Sequence, residues 1–85
     1  MSSNSHVLKL RDCFCDEVLM HNKTFEVRRN LRGFQKGDII TFQCVDEDGR
    51  ALPHVINNMR FQILYVLSGW GIEPDYVVFS FKAVQ

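Results

Sequence analysis

The spacing of apolar positions changes along the chain, and each change marks an element. His6-Val7-Leu8-Lys9-Leu10 predicts a short strand. Phe14 and Val18 then lie four apart, as do Cys15 and Leu19, the spacing that lines one side of a helix. Asp12 precedes this stripe where its side chain can cap the first turn, with Asp16 and Glu17 near the positive end of the dipole. His21-Asn22 ends the helix, Asn being an accepted substitute for Gly at a terminus. Thr24-Phe25-Glu26-Val27-Arg28 alternates with period two. That predicts a half-buried strand with Phe25 and Val27 inward and Thr24, Glu26 and Arg28 sharing the opposite face.

Residues 28–36 read as a basic loop containing Gly33, with Phe34 as an anchor into the core. Gly37-Asp38 turns the chain into an apolar strand over 39–45, and Asp48-Gly49 is the tightest signal of the hairpin turn that follows. Met59 to Leu67 predicts a strand with Phe61, Ile63, Tyr65 and Leu67 on one face. Residues 68–75, punctuated by Gly69, Gly71 and Pro74, form a loop before a closing strand over 76–81. The order β-α-β-β-β-β predicts an α+β domain: a small, mostly antiparallel β-barrel with one early helix. Closure would remove the edges that such apolar strands otherwise expose. An open sheet with the helix on one face is the alternative.

The 85 residues suffice for one domain, expected over 6–85 behind a polar tail at 1–5. A chain of this mass buries roughly 64% of its surface, enough for one small core and too little for a deep pocket. No apolar run approaches ~18 residues, so no membrane span is expected. The start lacks a basic stretch followed by an apolar block, so no secretory leader is expected. Cys13, Cys15 and Cys44 include no C-x-x-C pair, and His6, His21 and His54 are scattered. The expectation is therefore reduced thiols, a cytoplasmic protein, and neither metal nor cofactor. Formal charge is zero overall, yet residues 1–36 carry net +3 and the remainder net −3. Such a chain can present one positive face while remaining neutral as a whole.

Three places carry candidate chemistry. In Lys23-x-x-Glu26-x-Arg28, two cations flank a carboxylate and suit a phosphate or a polar base edge. The same spacing also describes a solvated polar face. In the loop, Arg28, Arg29, Arg32 and Lys36 suit phosphate contacts, with Phe34 nearby for stacking; a merely solvated loop is the alternative. Trp70, between Gly69 and Gly71, is either a lid over a ligand or a plug on the barrel end. Ser80 has no His/Asp partner in prospect, and no Gly-rich phosphate loop exists.

Taken together, His6-x-Leu8-Lys9, the run Lys23-Thr24-Phe25-Glu26-x-Arg28-x-Asn30-x-Arg32-x-Phe34-x-x-Gly37-Asp38, and Tyr76-Val77-Val78-x-Ser80 resemble a small bacterial and phage subgroup of the ASCH superfamily, within the PUA-like folds. The likeness runs from about residue 6 to 82. The family signature is Gly-x-Lys-x-x-Glu-x-Arg, matched by Lys23, Glu26 and Arg28, with His21 at the Gly position. Gly there permits positive φ and close ligand approach, whereas His21 would narrow the cleft mouth or lend it a ring. The resemblance implies a cleft between the early helix and the barrel that binds RNA or a modified nucleotide. Compact relatives that resemble amidohydrolases of acylated cytidines imply a second possibility, hydrolysis centred on Lys23 and Glu26. Those relatives use a Thr where this chain has Glu26 and a further Glu from a downstream helix, for which Glu73 is the available substitute. A protein-interaction module is the third possibility.

Overall fold

The structure is a computed structural model describing residues 4–84. Strand β1 (Ser5–Arg11) leads directly into helix α1 (Asp12–Leu19), followed by β2 (Phe25–Arg29), β3 (Ile39–Val45), β4 (Arg60–Leu67) and β5 (Tyr76–Val84). The expected element order is therefore present, with one addition. A 3-10 turn spans Val55–Asn58, capped where the His54 ring accepts from the Ile56 N–H. Of the tail expected at 1–5, Ser5 opens β1 and the Asn4 carbonyl accepts from the Ile39 N–H. Residues 1–3 of that tail lie outside the described residues. Asp12 does not cap α1 from outside: Arg11 occupies the cap position, and Asp12 accepts from the Cys13 N–H within the first turn.

The five strands form one mixed sheet in the order β1-β3-β4-β5-β2. Alternation along β1 buries His6, Leu8 and Leu10 and turns Val7, Lys9 and Arg11 outward. This strand pairs parallel with β3, from Ser5–Ile39 to Arg11–Val45, so α1 and β2 belong to the long crossover that parallel pairing requires. The remaining neighbours pair antiparallel. Fourteen residues make one core, in which Phe42, Phe61 and Phe81 meet with ring centroids 5.3–5.6 Å apart. Phe34 anchors the β2–β3 loop as expected, packed between His6 and Phe79. Below it the buried His6 Nε2 lies 2.8 Å from Asp38 Oδ2, and that carboxylate also accepts from the Asn4 and Gln35 N–H groups.

A closed, mostly antiparallel barrel is not what forms. The sheet curls into a half-barrel whose two edges, β1 and β2, face each other across a seam. Side chains span that seam. Arg28 Nη2 donates to the Lys9 carbonyl at 2.7 Å, and Arg32 Nη1 donates to the Val7 carbonyl at 2.9 Å. Cations thus occupy carbonyls on the free edge of β1 that a neighbouring strand would otherwise use, protecting the edge without closing the barrel.

A second departure lies in β4. Phe61 and Ile63 share one face as expected, and that face is buried, but a bulge between Ile63 and Tyr65 shifts the register against β5. One extra residue inverts the alternation beyond it. Tyr65 consequently stands outside the sheet, 61% exposed.

Candidate functional site

The alternation of β2 is opposite to the one expected. Phe25 and Val27 face outward, 45% and 54% exposed, while Glu26 is buried and Arg28 half-buried. A period-two pattern fixes which residues share a face, but not which face looks inward. Here the inward side of an edge strand looks into a cleft at the seam that also holds charged side chains. Burying Glu26 there is tolerable because two cations meet it.

The cleft has a volume of about 370 Å³ and is built from three elements. β1 contributes Lys9 and Arg11, the first turn of α1 contributes Phe14, and the chain from Lys23 through Arg28 forms the opposite wall. Glu26 Oε1 accepts from Arg28 through Nε at 2.9 Å and lies 2.7 Å from Nη2. Its other oxygen accepts from Lys23 Nζ. The Glu26 side chain is 4% exposed, against 17% for Lys23 and 26% for Arg28. This is not a solvated surface pair, for which a contribution near zero would be expected. Removing one partner of a buried ion pair costs about 3–5 kcal/mol, because the remaining charge is left uncompensated.

Lys23 is fixed from further directions. Its Nζ donates to the Phe25 carbonyl at 2.9 Å and lies 5.0 Å and 5.4 Å from the ring centroids of Phe14 and Phe25. An ammonium so placed is attracted by both ring faces. The cleft therefore combines two flat apolar rings with four cations (Lys9, Arg11, Lys23 and Arg28) against the single carboxylate of Glu26. Both oxygens of that carboxylate are already occupied by Lys23 and Arg28, so its role is to hold the two cations in place. Lys9 and Arg11 make no bond to a buried acid; the Arg11 Nε contact with Asp12, at 3.6 Å, is solvent-exposed.

Sequence spacing brought Lys23, Glu26 and Arg28 together correctly, but the remaining candidates separate. Arg28 points into the cleft, and Arg29, its neighbour on the strand, falls on the opposite, exposed face. Arg32 donates to the Val7 carbonyl, and Lys36 is exposed and lines neither this cleft nor the second hollow described below. Of the basic cluster, Arg28 alone lines the cleft. His21 does not narrow this cleft; it lines a second hollow of about 220 Å³, between the end of α1 and the adjoining parts of β4 and β5, together with Met59, Phe81 and Lys82. Its φ is +62°, in the left-handed region that glycine adopts most freely.

Trp70 is neither plug nor wall of a cleft. It is 91% exposed, lines neither hollow, and has φ of +55° between two glycines that are also positive. Phe34, the other candidate stacking ring, is buried in the core. Sequence reasoning missed Lys9, Arg11, Phe14 and Phe25 as cleft residues. The signal was there for two of them, since alternation on β1 places Lys9 and Arg11 on one face.

Thiol chemistry is absent from the cleft. Cys15 is buried, its Sγ donates to the Leu10 and Arg11 carbonyls, and burial followed by the neighbouring Cys44 pushes its thiol up to about 12. Among the described residues, no group of three His, Cys, Asp or Glu stands close enough to hold a metal ion. Likewise, no helix there is long and apolar enough to cross a membrane. No curated protein matches the sequence. A family match does exist, and it covers nearly all of the chain. The protein belongs to the family described as Domain of unknown function (DUF3850), which matches residues 5–81.

Proposed function

We propose that the seam cleft binds a phosphorylated nucleoside, free or as one unit of an RNA strand, and that the domain is a cytoplasmic PUA-like module of the ASCH type. One observation carries this reading: a buried carboxylate fixes two cations beside two aromatic rings, with two further cations in the same hollow. Phosphate oxygens suit Lys9 and Arg11, which are exposed and make no bond to a buried acid. Rings suit the faces of Phe14 and Phe25. Lys23 and Arg28, held by Glu26, present fixed donors between the two.

At about 370 Å³ the cleft lies at the small end of the ~300–1,000 Å³ typical of ligand sites, which favours one nucleotide over a duplex. For single strands, each phosphate contact contributes about −0.7 to the slope of log affinity against log salt. Contacts from Lys9 and Arg11 alone predict about −1.4. Titration with uridine 5′-monophosphate and with uridine, followed by amide chemical shifts, tests the reading. Shifts at residues 9–14 and 23–28 with the phosphorylated form, and much weaker ones with uridine, are expected. Equal responses to both, or none, would remove the proposal.

Hydrolysis of an N-acylated cytidine is supported less well. Glu73, the substitute for the missing helical carboxylate, is exposed in the 68–75 loop and does not line the cleft. That leaves Glu26, whose oxygens are both engaged by cations.

A further inference from the structure

The bulge in β4 and the inverted alternation of β2 have a joint consequence on the outer side of the sheet. Directly opposed residues of antiparallel strands share a face. By register, Phe25 stands opposite Ser80, and Ser80 opposite Tyr65. Val27 stands opposite Val78, and Val78 opposite Leu67. Arg29 stands opposite Tyr76. Three strands therefore present Phe25, Tyr65 and Tyr76 on one outer surface, with small or aliphatic residues between the rings. Neighbouring strands are ~4.8 Å apart, so Phe25 and Tyr65 stand about 10 Å from each other across Ser80.

Charge on this surface has one sign. Arg29, Arg60 and Lys82 are exposed on β2, β4 and β5, and the only acid in those three strands, Glu26, faces the cleft. Acidic residues reappear at Glu73 and Asp75, in the loop beyond Tyr76. Contiguous exposed apolar surface marks a binding site. A protein partner would usually meet mixed charges at a rim. Aromatic faces interspersed with cations and no carboxylate instead suit unpaired bases on a phosphodiester chain.

We infer that the outer face of β2, β5 and β4 is a base-stacking surface for single-stranded RNA, reached from the cleft across the free edge of β2. The inference rests on the cleft reading for the starting point of the strand's path. Phe25 belongs to both places, since it lines the cleft and is 45% exposed. Arg28 and Arg29 point to the two sides of the same edge. A strand with one nucleotide in the cleft passes Phe25 and lays its next bases against Tyr65 and Tyr76.

The test compares uridine 5′-monophosphate with octauridylate, using wild type, Tyr65→Ala, Tyr65→Phe and Lys9→Ala. Tyr65 is 61% exposed, so its truncation spares the core. Tyr65→Ala is expected to leave mononucleotide affinity within twofold of wild type and to weaken octauridylate binding by roughly 5- to 100-fold, the cost of one lost stacking partner. Tyr65→Phe restores the octamer affinity, and Lys9→Ala weakens both ligands. Octauridylate that binds Tyr65→Ala as tightly as wild type overturns the stacking surface even if the cleft is sound. Octauridylate binding that depends on Tyr65 while the mononucleotide fails to bind supports the surface and removes the cleft reading. A wild-type chain that binds neither ligand overturns both.

Discussion

Glu26→Gln is the substitution that tests the site most directly. Gln keeps the shape of the side chain, removes the charge, and replaces an acceptor oxygen by an NH₂ donor. Glu26 accepts from Lys23 on one oxygen and Arg28 on the other, so one of these cations must then face a donor. Losing one side of a buried pair costs about 3–5 kcal/mol where the orphaned charge stays buried. Lys23 and Arg28 retain 17% and 26% exposure and can turn partly to water, which brings the expected loss below that range, to about 2–3 kcal/mol. A domain of this size has a total stability of roughly 4–13 kcal/mol. Each lost kcal/mol lowers Tm by about 4–8 °C, so a fall of roughly 10–20 °C is expected. Thermal unfolding followed by far-ultraviolet circular dichroism measures it. A variant melting within ~2 °C of wild type would show that water already solvates the carboxylate. The argument that Glu26 positions Lys23 and Arg28 would then fail.

Three smaller perturbations follow from the same geometry. His21→Gly relieves a left-handed backbone that costs a side-chain-bearing residue about 1–2 kcal/mol, partly offset by the extra freedom of unfolded glycine, so a gain of about 0.5–1 kcal/mol is expected in a denaturant melt. Arg32→Ala frees the Val7 carbonyl at the exposed seam; a loss of about 1 kcal/mol is expected, with faster amide hydrogen exchange in β1. With a maleimide at neutral pH, Cys13 is expected to react while Cys15 and Cys44 stay protected until the chain unfolds, which mass spectrometry reads directly. Because the Cys15 thiol is raised to about 12 in the native state, the unfolded chain loses that proton first as pH rises above the ordinary value of 9.0. Stability therefore falls with rising pH between those values, and this thiol contributes no slope below them.

Much of the scaffold was legible because its signals are local. The helix rested on the four-residue spacing of Phe14–Val18 and Cys15–Leu19, and the turns on glycines whose positive φ values at 37 and 49 the structure contains. The grouping of Lys23, Glu26 and Arg28 was legible too, since period two puts alternate residues on one face whatever that face meets. Partner choice between strands was not legible. Parallel pairing of β1 with β3 depends on the path of the intervening crossover, and no residue in either strand encodes it.

The same limit accounts for both errors of face. On β2, the alternation predicts apolar residues inward because cores are apolar, an inference that holds for a strand inside a sheet. An edge strand at an unclosed seam has an open cleft on its inner side instead, and Glu26 can lie there because Lys23 and Arg28 are positioned to neutralise it. On β4, the alternation Phe61, Ile63, Tyr65, Leu67 would be unbroken in a regular strand, and the bulge at Leu64 is what turns Tyr65 outward. A bulge answers to the register with β5, which is a non-local quantity. Both inversions bring aromatic residues to the surface, Phe25 at the mouth of the cleft and Tyr65 two strands away. Phe25 and Tyr65, two of the residues proposed here to meet a base, are therefore ones that an unbroken alternation places on the opposite face.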